Sequence, residues 1–146
     1  GTTATKLFYM LEGPKSINGR NFSVSVTAPE INATSISVGE AFSCALDNSS
    51  GMVKCWGSGN SFGLGVTNNR GDAANEMGDN LPIVDLGTGR TATAISIGNN
   101  HTCVLLDNSD IKCWGNGSMG KLGQGSTSNI DNNTNMMGDN LPAIDL

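Results

Sequence analysis

Four cysteines are the residues of this chain best suited to covalent chemistry, and their spacing sorts them into two pairs, Cys44 with Cys55 and Cys103 with Cys113. Each pair flanks a short polar stretch, Asp47-Asn48-Ser49-Ser50-Gly51 in one case and Asp107-Asn108-Ser109 in the other, that reads as the turn of a β-hairpin. Residues directly opposite in an antiparallel pair lie about 4.5 to 5.5 Å apart at Cα, a separation a disulfide can span. We therefore expect disulfides Cys44–Cys55 and Cys103–Cys113, each contributing on the order of 2 to 3 kcal/mol by restraining the unfolded chain. Zinc is the competing use of paired thiols. About ten residues between the sulfurs of a hairpin, with a single histidine in the chain, make a poor tetrahedral set. Disulfides imply an oxidising compartment, so the chain reads as secreted or extracellular.

Other reactive residue types are present without the company that catalysis needs. Gly59-Asn60-Ser61-Phe62-Gly63 matches the G-x-S-x-G pattern, but that elbow joins a strand to a helix and requires a partnered His and acid. The other repeat copy, Asn116-Gly117-Ser118-Met119-Gly120, does not keep the pattern, so we read a structural turn. His101 is the only histidine, and its repeat counterpart is Phe42, which favours packing over proton transfer. No general acid–base pair can be assembled, so an enzyme is not expected and no cofactor is implied. Asp72, Glu76 and Asp79 in one loop, and Asp131 and Asp139 in another, carry hard oxygens of the kind Ca²⁺ takes, yet their spacing matches no calcium loop. Arg70-Gly71-Asp72 matches an adhesion tripeptide and is read as loop. Asn-x-Ser/Thr acceptor sites for N-glycans stand at Asn21, Asn32, Asn48, Asn100, Asn116 and Asn132. Asn48, Asn116 and Asn132 fall on expected turns, whereas Asn100 beside a hairpin is expected to be buried.

The elements that position these residues follow from composition and periodicity. Gly, Asn, Ser and Thr make up 65 of the 146 residues, while charged residues are 14% and aromatics 5%, a profile of strands and turns rather than helices. The net charge of −5 argues against a nucleic-acid groove or an anionic membrane surface. No apolar run approaches the roughly 18 residues a membrane helix needs. Gly1 replaces an initiator Met and no basic-then-apolar leader follows, so we expect a mature or excised stretch of chain.

Self-similarity organises most of the sequence. Ala33-Thr34-Ser35-Ile36-Ser37-Val38-Gly39 recurs as Ala92-Thr93-Ala94-Ile95-Ser96-Ile97-Gly98, and Lys54-Cys55-Trp56-Gly57 as Lys112-Cys113-Trp114-Gly115. Met77-Gly78-Asp79-Asn80-Leu81-Pro82 recurs as Met137-Gly138-Asp139-Asn140-Leu141-Pro142. We divide the chain into an N-terminal hairpin or linking segment (1–32), a first repeat (33–91) and a second repeat (92–146) that stops in mid-unit. Within each repeat, Ile36 and Val38, or Ile95 and Ile97, alternate with small polar residues, as in a half-buried strand. In the N-terminal segment, Leu7-Phe8-Tyr9-Met10-Leu11 is an apolar run of strand length, Phe22, Val24 and Val26 alternate, and Asn18-Gly19 supplies a turn between them.

The string Ile95-Ser96-Ile97-Gly98-Asn99-Asn100-His101-Thr102-Cys103, followed by Ile111-Lys112-Cys113-Trp114-Gly115 and Gly120-Lys121-Leu122-Gly123-Gln124-Gly125, resembles the repeat of the regulator of chromosome condensation superfamily. It is similar above all to the cysteine-bearing version of large secreted bacterial and algal proteins. The resemblance implies an all-β fold of four-stranded antiparallel units of propeller-blade type. It leaves activity open, since that fold hosts exchange factors, inhibitors and scaffolds. About two units cannot close a ring alone, because closed propellers take four or more blades. Two functions follow as expectations. The first is a non-catalytic extracellular structural protein that self-assembles head to tail into a filament, with Leu7, Phe8, Tyr9, Met10 and Leu11 of one subunit completing the sheet of the next. The second is a protein- or glycan-binding module of a longer secreted propeller protein.

Overall fold

The computed structural model describes residues 31–59, 61–130 and 133–146, together with a two-residue ladder in which β1 (Ser16–Ile17) pairs antiparallel with β2 (Arg20–Asn21). That ladder brackets the Asn18-Gly19 dipeptide. The assembly strand expected at Leu7–Leu11 and the sugar acceptor Asn132 lie outside the described residues.

Regular structure among the described residues is β-strand and short 3-10 turns. The first repeat forms an antiparallel sheet of β3 (Ser35–Val38), β4 (Phe42–Asp47) and β5 (Met52–Gly57), in that order. The second forms the same sheet from β6 (Ala92–Ile97), β7 (His101–Leu106) and β8 (Ile111–Gly115). Among the described residues each sheet therefore has three strands, where the resemblance implies four. The fourth place is reduced to a lone bridge between Lys54 and Ile83, where Val84 N–H donates to Val53 O at 2.8 Å, and to the matching bond from Ile144 N–H to Ile111 O at 2.8 Å. Pro82 and Pro142 precede these points, and a residue without N–H cannot extend a ladder.

Alternating side-chain direction gives each sheet two faces. One carries the cysteines: Phe42, Cys44, Leu46, Val53 and Cys55 in the first unit, His101, Cys103, Leu105, Ile111 and Cys113 in the second. We call it the cystine face. The opposite face carries Ala45, Lys54 and Trp56 in the first unit and Val104, Lys112 and Trp114 in the second, and we call it the tryptophan face.

A single apolar core joins the cystine face of unit 1 to the tryptophan face of unit 2. Phe42, Cys44, Leu46, Val53 and Cys55 are buried in it against Val104, Leu106, Trp114, Met137 and Leu141, with Phe62, Val84 and Leu86 closing the outer side. Ile95 and Ile97 pack on the same core, as the alternation of β6 predicts. In β3 the alternation runs the same way, with Ile36 and Val38 on the tryptophan face, but no described residue covers that face in unit 1. Ile36 and Val38 are 64% and 65% exposed, while Ser37 turns inward and its hydroxyl accepts the Ile97 N–H at 3.0 Å. The neighbouring unit lies on the serine side of β3, so the isoleucine and valine have nothing described to pack on.

Candidate interaction surfaces

Both disulfides sit where the hairpin register places them. Cys44 and Cys55 are paired residues with Cα atoms 4.0 Å apart, and Cys103 and Cys113 are paired with Cα atoms 4.1 Å apart. Such short separations belong to non-hydrogen-bonded pairs of an antiparallel ladder, the positions where side chains approach most closely. Cys44 and Cys55 are fully buried in the inter-unit core, whereas Cys103 is half-buried, because no described unit packs on the cystine face of unit 2.

Asp47 secures the first hairpin. Its Oδ1 accepts from the Ser49 N–H at 2.8 Å and the Ser49 hydroxyl at 2.6 Å, and Oδ2 accepts from the Ser50 hydroxyl at 2.9 Å and the Asn32 N–H at 3.3 Å. The hydrogen bond from the Ser49 hydroxyl is the main cause that lowers its pKa from 3.8 to about 2, against the opposing effect of burial. In the second hairpin Asp107 is exposed, accepts the Thr91 N–H at 3.1 Å and faces Arg90 at 3.6 Å.

Two buried lysines were not singled out by residue type, yet they tie the loops to the sheets. Lys112 Nζ donates to Leu86 O at 3.0 Å and Gly138 O at 2.8 Å, so one ammonium bridges the end of unit 1 and the loop of unit 2. Lys54 Nζ donates to Gly78 O at 2.9 Å, the repeat counterpart of Gly138, and has no other acceptor among the described residues. The signal available in the sequence was the recurrence of a lysine between an apolar residue and a cysteine on a strand, an uncommon place for a charge unless it is paired.

The inter-unit contact is close at the backbone. Gly63 adopts φ +77°, and a Cβ there would stand 2.6 Å from Trp114 Nε1 and 2.9 Å from the Met137 terminal methyl. Gly138 abuts the Asp85 carboxylate, and Asp139 accepts the Thr88 N–H at 2.7 Å and the Thr88 hydroxyl, which lowers the pKa of Asp139. Among the described residues, unit 1 has no such cover on its tryptophan face. Trp56 is half-buried where Trp114 is fully buried, and Met77 is 43% exposed where its counterpart Met137 is buried. A groove of about 360 Å³ lies there, lined by Ile31, Ala45, Lys54, Trp56, Met77 and Leu81 among others.

The remaining candidates take structural positions. Ser61 and Phe62 are buried in the turn that follows β5, and Gly59 N–H donates to Asn69 Oδ1 at 3.3 Å, with no helix following. His101 is half-buried with its ring against Gly98. Burial first, and then the Lys121 charge, lower its pKa and favour the neutral ring. The acidic loop of unit 1 is organised by its own backbone rather than around an ion. Glu76 Oε2 accepts from the N–H groups of Gly71, Asp72 and Ala73 at 2.9, 3.2 and 3.1 Å, and Glu76 faces Arg70 at 3.9 Å. The Arg70-Gly71-Asp72 tripeptide is thereby held in a capped turn. Among the described residues no group of three or more His, Cys, Asp or Glu is placed to hold a metal; Asp131 is not among them, and Asp79 lies in a 3-10 turn, exposed. Of the sugar acceptors, Asn32 and Asn48 are exposed and Asn116 is half-buried, its Oδ1 accepting the Ser118 N–H at 3.0 Å. Asn21 lies in β2. Asn100, expected to be buried, is exposed, because the turn between β6 and β7 points away from the core and its amide reaches Glu40 at 3.4 Å.

Comparison with known proteins decides the kind of unit. The family model for the regulator of chromosome condensation (RCC1) repeat matches residues 33–69 and again 92–121, one match per sheet. Both sheets therefore resemble RCC1 repeats. An Arabidopsis thaliana RCC1 domain-containing protein, RUG3, mitochondrial, is 29% identical over 117 residues, covering 80% of this chain and 25% of the relative. The crystal structure of human WBSCR16 superposes with a TM-score of 0.56 at 17% identity, covering 87% of this chain and 29% of that one, which shows the shared propeller-type fold. Prp20p of Saccharomyces cerevisiae, whose structure was described with its binding to Gsp1p and histones, aligns over 56% of this chain and 19% of its own, with 22% identity and a TM-score of 0.38. The chain thus spans between about a fifth and a third of the length of these relatives, and its two three-stranded sheets are similar to partial propeller blades.

Proposed function

We infer that this chain is a non-catalytic part of a longer propeller-type RCC1-repeat protein, acting in an oxidising, extracellular setting as a module that binds a protein or glycan. The observation that carries this reading is the directional packing of the two units. The tryptophan face of unit 1 and the cystine face of unit 2 are each half of an interface that the other half already completes inside the chain. A propeller satisfies both by adding blades. The two disulfides support the oxidising setting. Long capped loops such as 67–80, ordered by side chains like Glu76 rather than by strands, are the kind of surface from which repeat proteins engage partners.

The filament reading, in which Leu7–Leu11 supplies a strand to a neighbour, has less support, since those residues lie outside the described part and the relatives carry this repeat within much longer chains. An antibody raised against the chain, used on denatured source material, separates the two. A band several times the size of this 146-residue chain supports the module, and a band of its own size refutes it. For the partner, the chain is immobilised and screened on glycan arrays and against secreted proteins. Substitutions in loop 67–80 should weaken any specific binding found, and binding indifferent to all the exposed loops would remove them as the recognition surface.

A further inference from the structure

Asn100 heads the acceptor sequence Asn100-His101-Thr102, and the fold treats its two recognition residues in opposite ways. Asn100 lies exposed in the turn between β6 and β7. Thr102 is completely buried on β7 opposite Trp114, and its hydroxyl has no hydrogen-bond partner among the described residues. Burying an unpaired hydroxyl opposes folding, and a valine of the same outline would carry no such cost. The other acceptor sequences differ. Thr34, which follows Asn32, donates its hydroxyl to Leu46 O at 3.3 Å and accepts the Asn48 N–H at 2.9 Å, and Ser50, which follows Asn48, donates to Asp47 Oδ2 at 2.9 Å. Asn116 is half-buried, with its Oδ1 held by the Ser118 N–H.

The place of Asn100 does not depend on what flanks the two units. Unit 1 already packs beside it, with the Glu40 N–H donating to Asn99 O at 3.2 Å, and Asn100 remains exposed. Its repeat counterpart Ala41 is exposed with unit 2 in place on the following side. Units add on the faces of the sheets, whereas this turn stands at their end. Asn100 Nδ2 donates to Glu40 Oε2 at 3.4 Å, and a singly substituted amide nitrogen keeps one N–H for that bond.

We propose that Asn100 carries an N-linked glycan and that the Thr102 hydroxyl serves the recognition of that site rather than the fold. The reaction joins Asn100 Nδ2 to C1 of a sugar held on a lipid diphosphate. The N–C1 bond forms, the bond from C1 to the diphosphate oxygen breaks, the lipid diphosphate leaves with the electron pair, and the amide gives up one proton. A transferase that reads the hydroxyl two residues after the asparagine meets Thr102 only before β7 pairs with β8, so the sugar is added ahead of folding and of the Cys103–Cys113 link. The proposal rests on the oxidising, extracellular setting inferred above, since this transfer and disulfide formation belong to the same secretory route.

Two measurements test it. On protein taken from its source, digestion with a peptide-N-glycosidase in heavy-oxygen water, followed by peptide mass spectrometry, should turn Asn100 into heavy-labelled aspartate, while alkylation before reduction reports the state of the cysteines. An unlabelled Asn100 with both disulfides formed overturns the proposal and leaves the oxidising setting standing; an unlabelled Asn100 with free thiols overturns both. The second measurement expresses wild type, Asn100→Gln, Thr102→Ser and Thr102→Val in a eukaryotic secretory host. Wild type and Thr102→Ser should carry sugar at Asn100, and Asn100→Gln and Thr102→Val should carry none at that position. Within the Asn100→Gln background, where no sugar is attached there, Thr102→Val should melt at or above the temperature of Asn100→Gln alone, because the hydroxyl it removes bonds to no described group. Sugar that persists at Asn100 in Thr102→Val, or a lower melting temperature in the double variant, would overturn the role assigned to Thr102.

Discussion

Replacing Gly63 by alanine probes the close approach that locks the two repeats together. At φ +77° any L-residue meets its own carbonyl oxygen, at a cost of roughly 1 to 2 kcal/mol. The new Cβ would in addition stand 2.6 Å from Trp114 Nε1, a distance that real contacts do not reach, so Trp114 or the turn must move. Overpacking of this kind costs about 1 to 3 kcal/mol. Gly89 supplies the control, because it has φ +68° and nothing within 4 Å of its would-be Cβ, so Gly89→Ala carries the backbone penalty alone. We expect Gly63→Ala to lose about 2 to 5 kcal/mol and Gly89→Ala about 1 to 2. The assay is urea unfolding followed by tryptophan fluorescence, in which Trp114, buried at the junction, reports on the interface. If both substitutions shifted the midpoint equally, with unchanged slope, the steric contribution would be zero and the close approach at Gly63 would not exist.

Three further outcomes follow from the lesser contacts. Asp47 has a folded pKa of about 2, below its ordinary 3.8, so the stability it provides is complete above about pH 5 and lost as pH falls from about 4 through 2; Asp47→Asn should therefore differ from wild type by a constant amount at neutral pH and converge with it in acid, as read by thermal melts across pH. Mild reductant should open Cys103–Cys113 before Cys44–Cys55, because Cys103 is half-buried and both members of the other pair are fully buried; timed alkylation with mass spectrometry checks the order, and the reverse order would contradict it. Lys112→Met leaves the Leu86 and Gly138 carbonyls without their donor at about 1 to 3 kcal/mol each, whereas Lys54→Met frees one described carbonyl and should cost less in the same urea assay.

What could be read directly from the residues was whatever depends on near neighbours along the chain. Cysteines flanking turn residues define a hairpin register, and a register leaves little choice of disulfide partner, so the Cys44–Cys55 and Cys103–Cys113 links were legible. Alternation in Ser35–Val38 was legible as a strand, but which side would find a neighbour was not, since that depends on where β6 lies. Lys54 and Lys112 escaped notice because their acceptors are 24 to 26 residues away, in loops whose path no local pattern specifies. The missing fourth strand was in fact encoded locally, in Pro82 and Pro142, but the implied blade had more weight than two prolines. The exposure of Asn100 turned on the direction of one turn, which the sequon itself does not set.

Each repeat presents one chemical side to what comes before and the other to what comes after, with equivalent residues such as Ser37 and Ser96 set 59 positions apart. Junctions built this way are interchangeable. A gene encoding such a chain can gain or lose whole periods and leave every remaining junction intact, while an insertion of half a period would set two like sides together. Variation in length among chains of this kind should therefore come in integral steps, with the breakpoints falling between sheets rather than inside them.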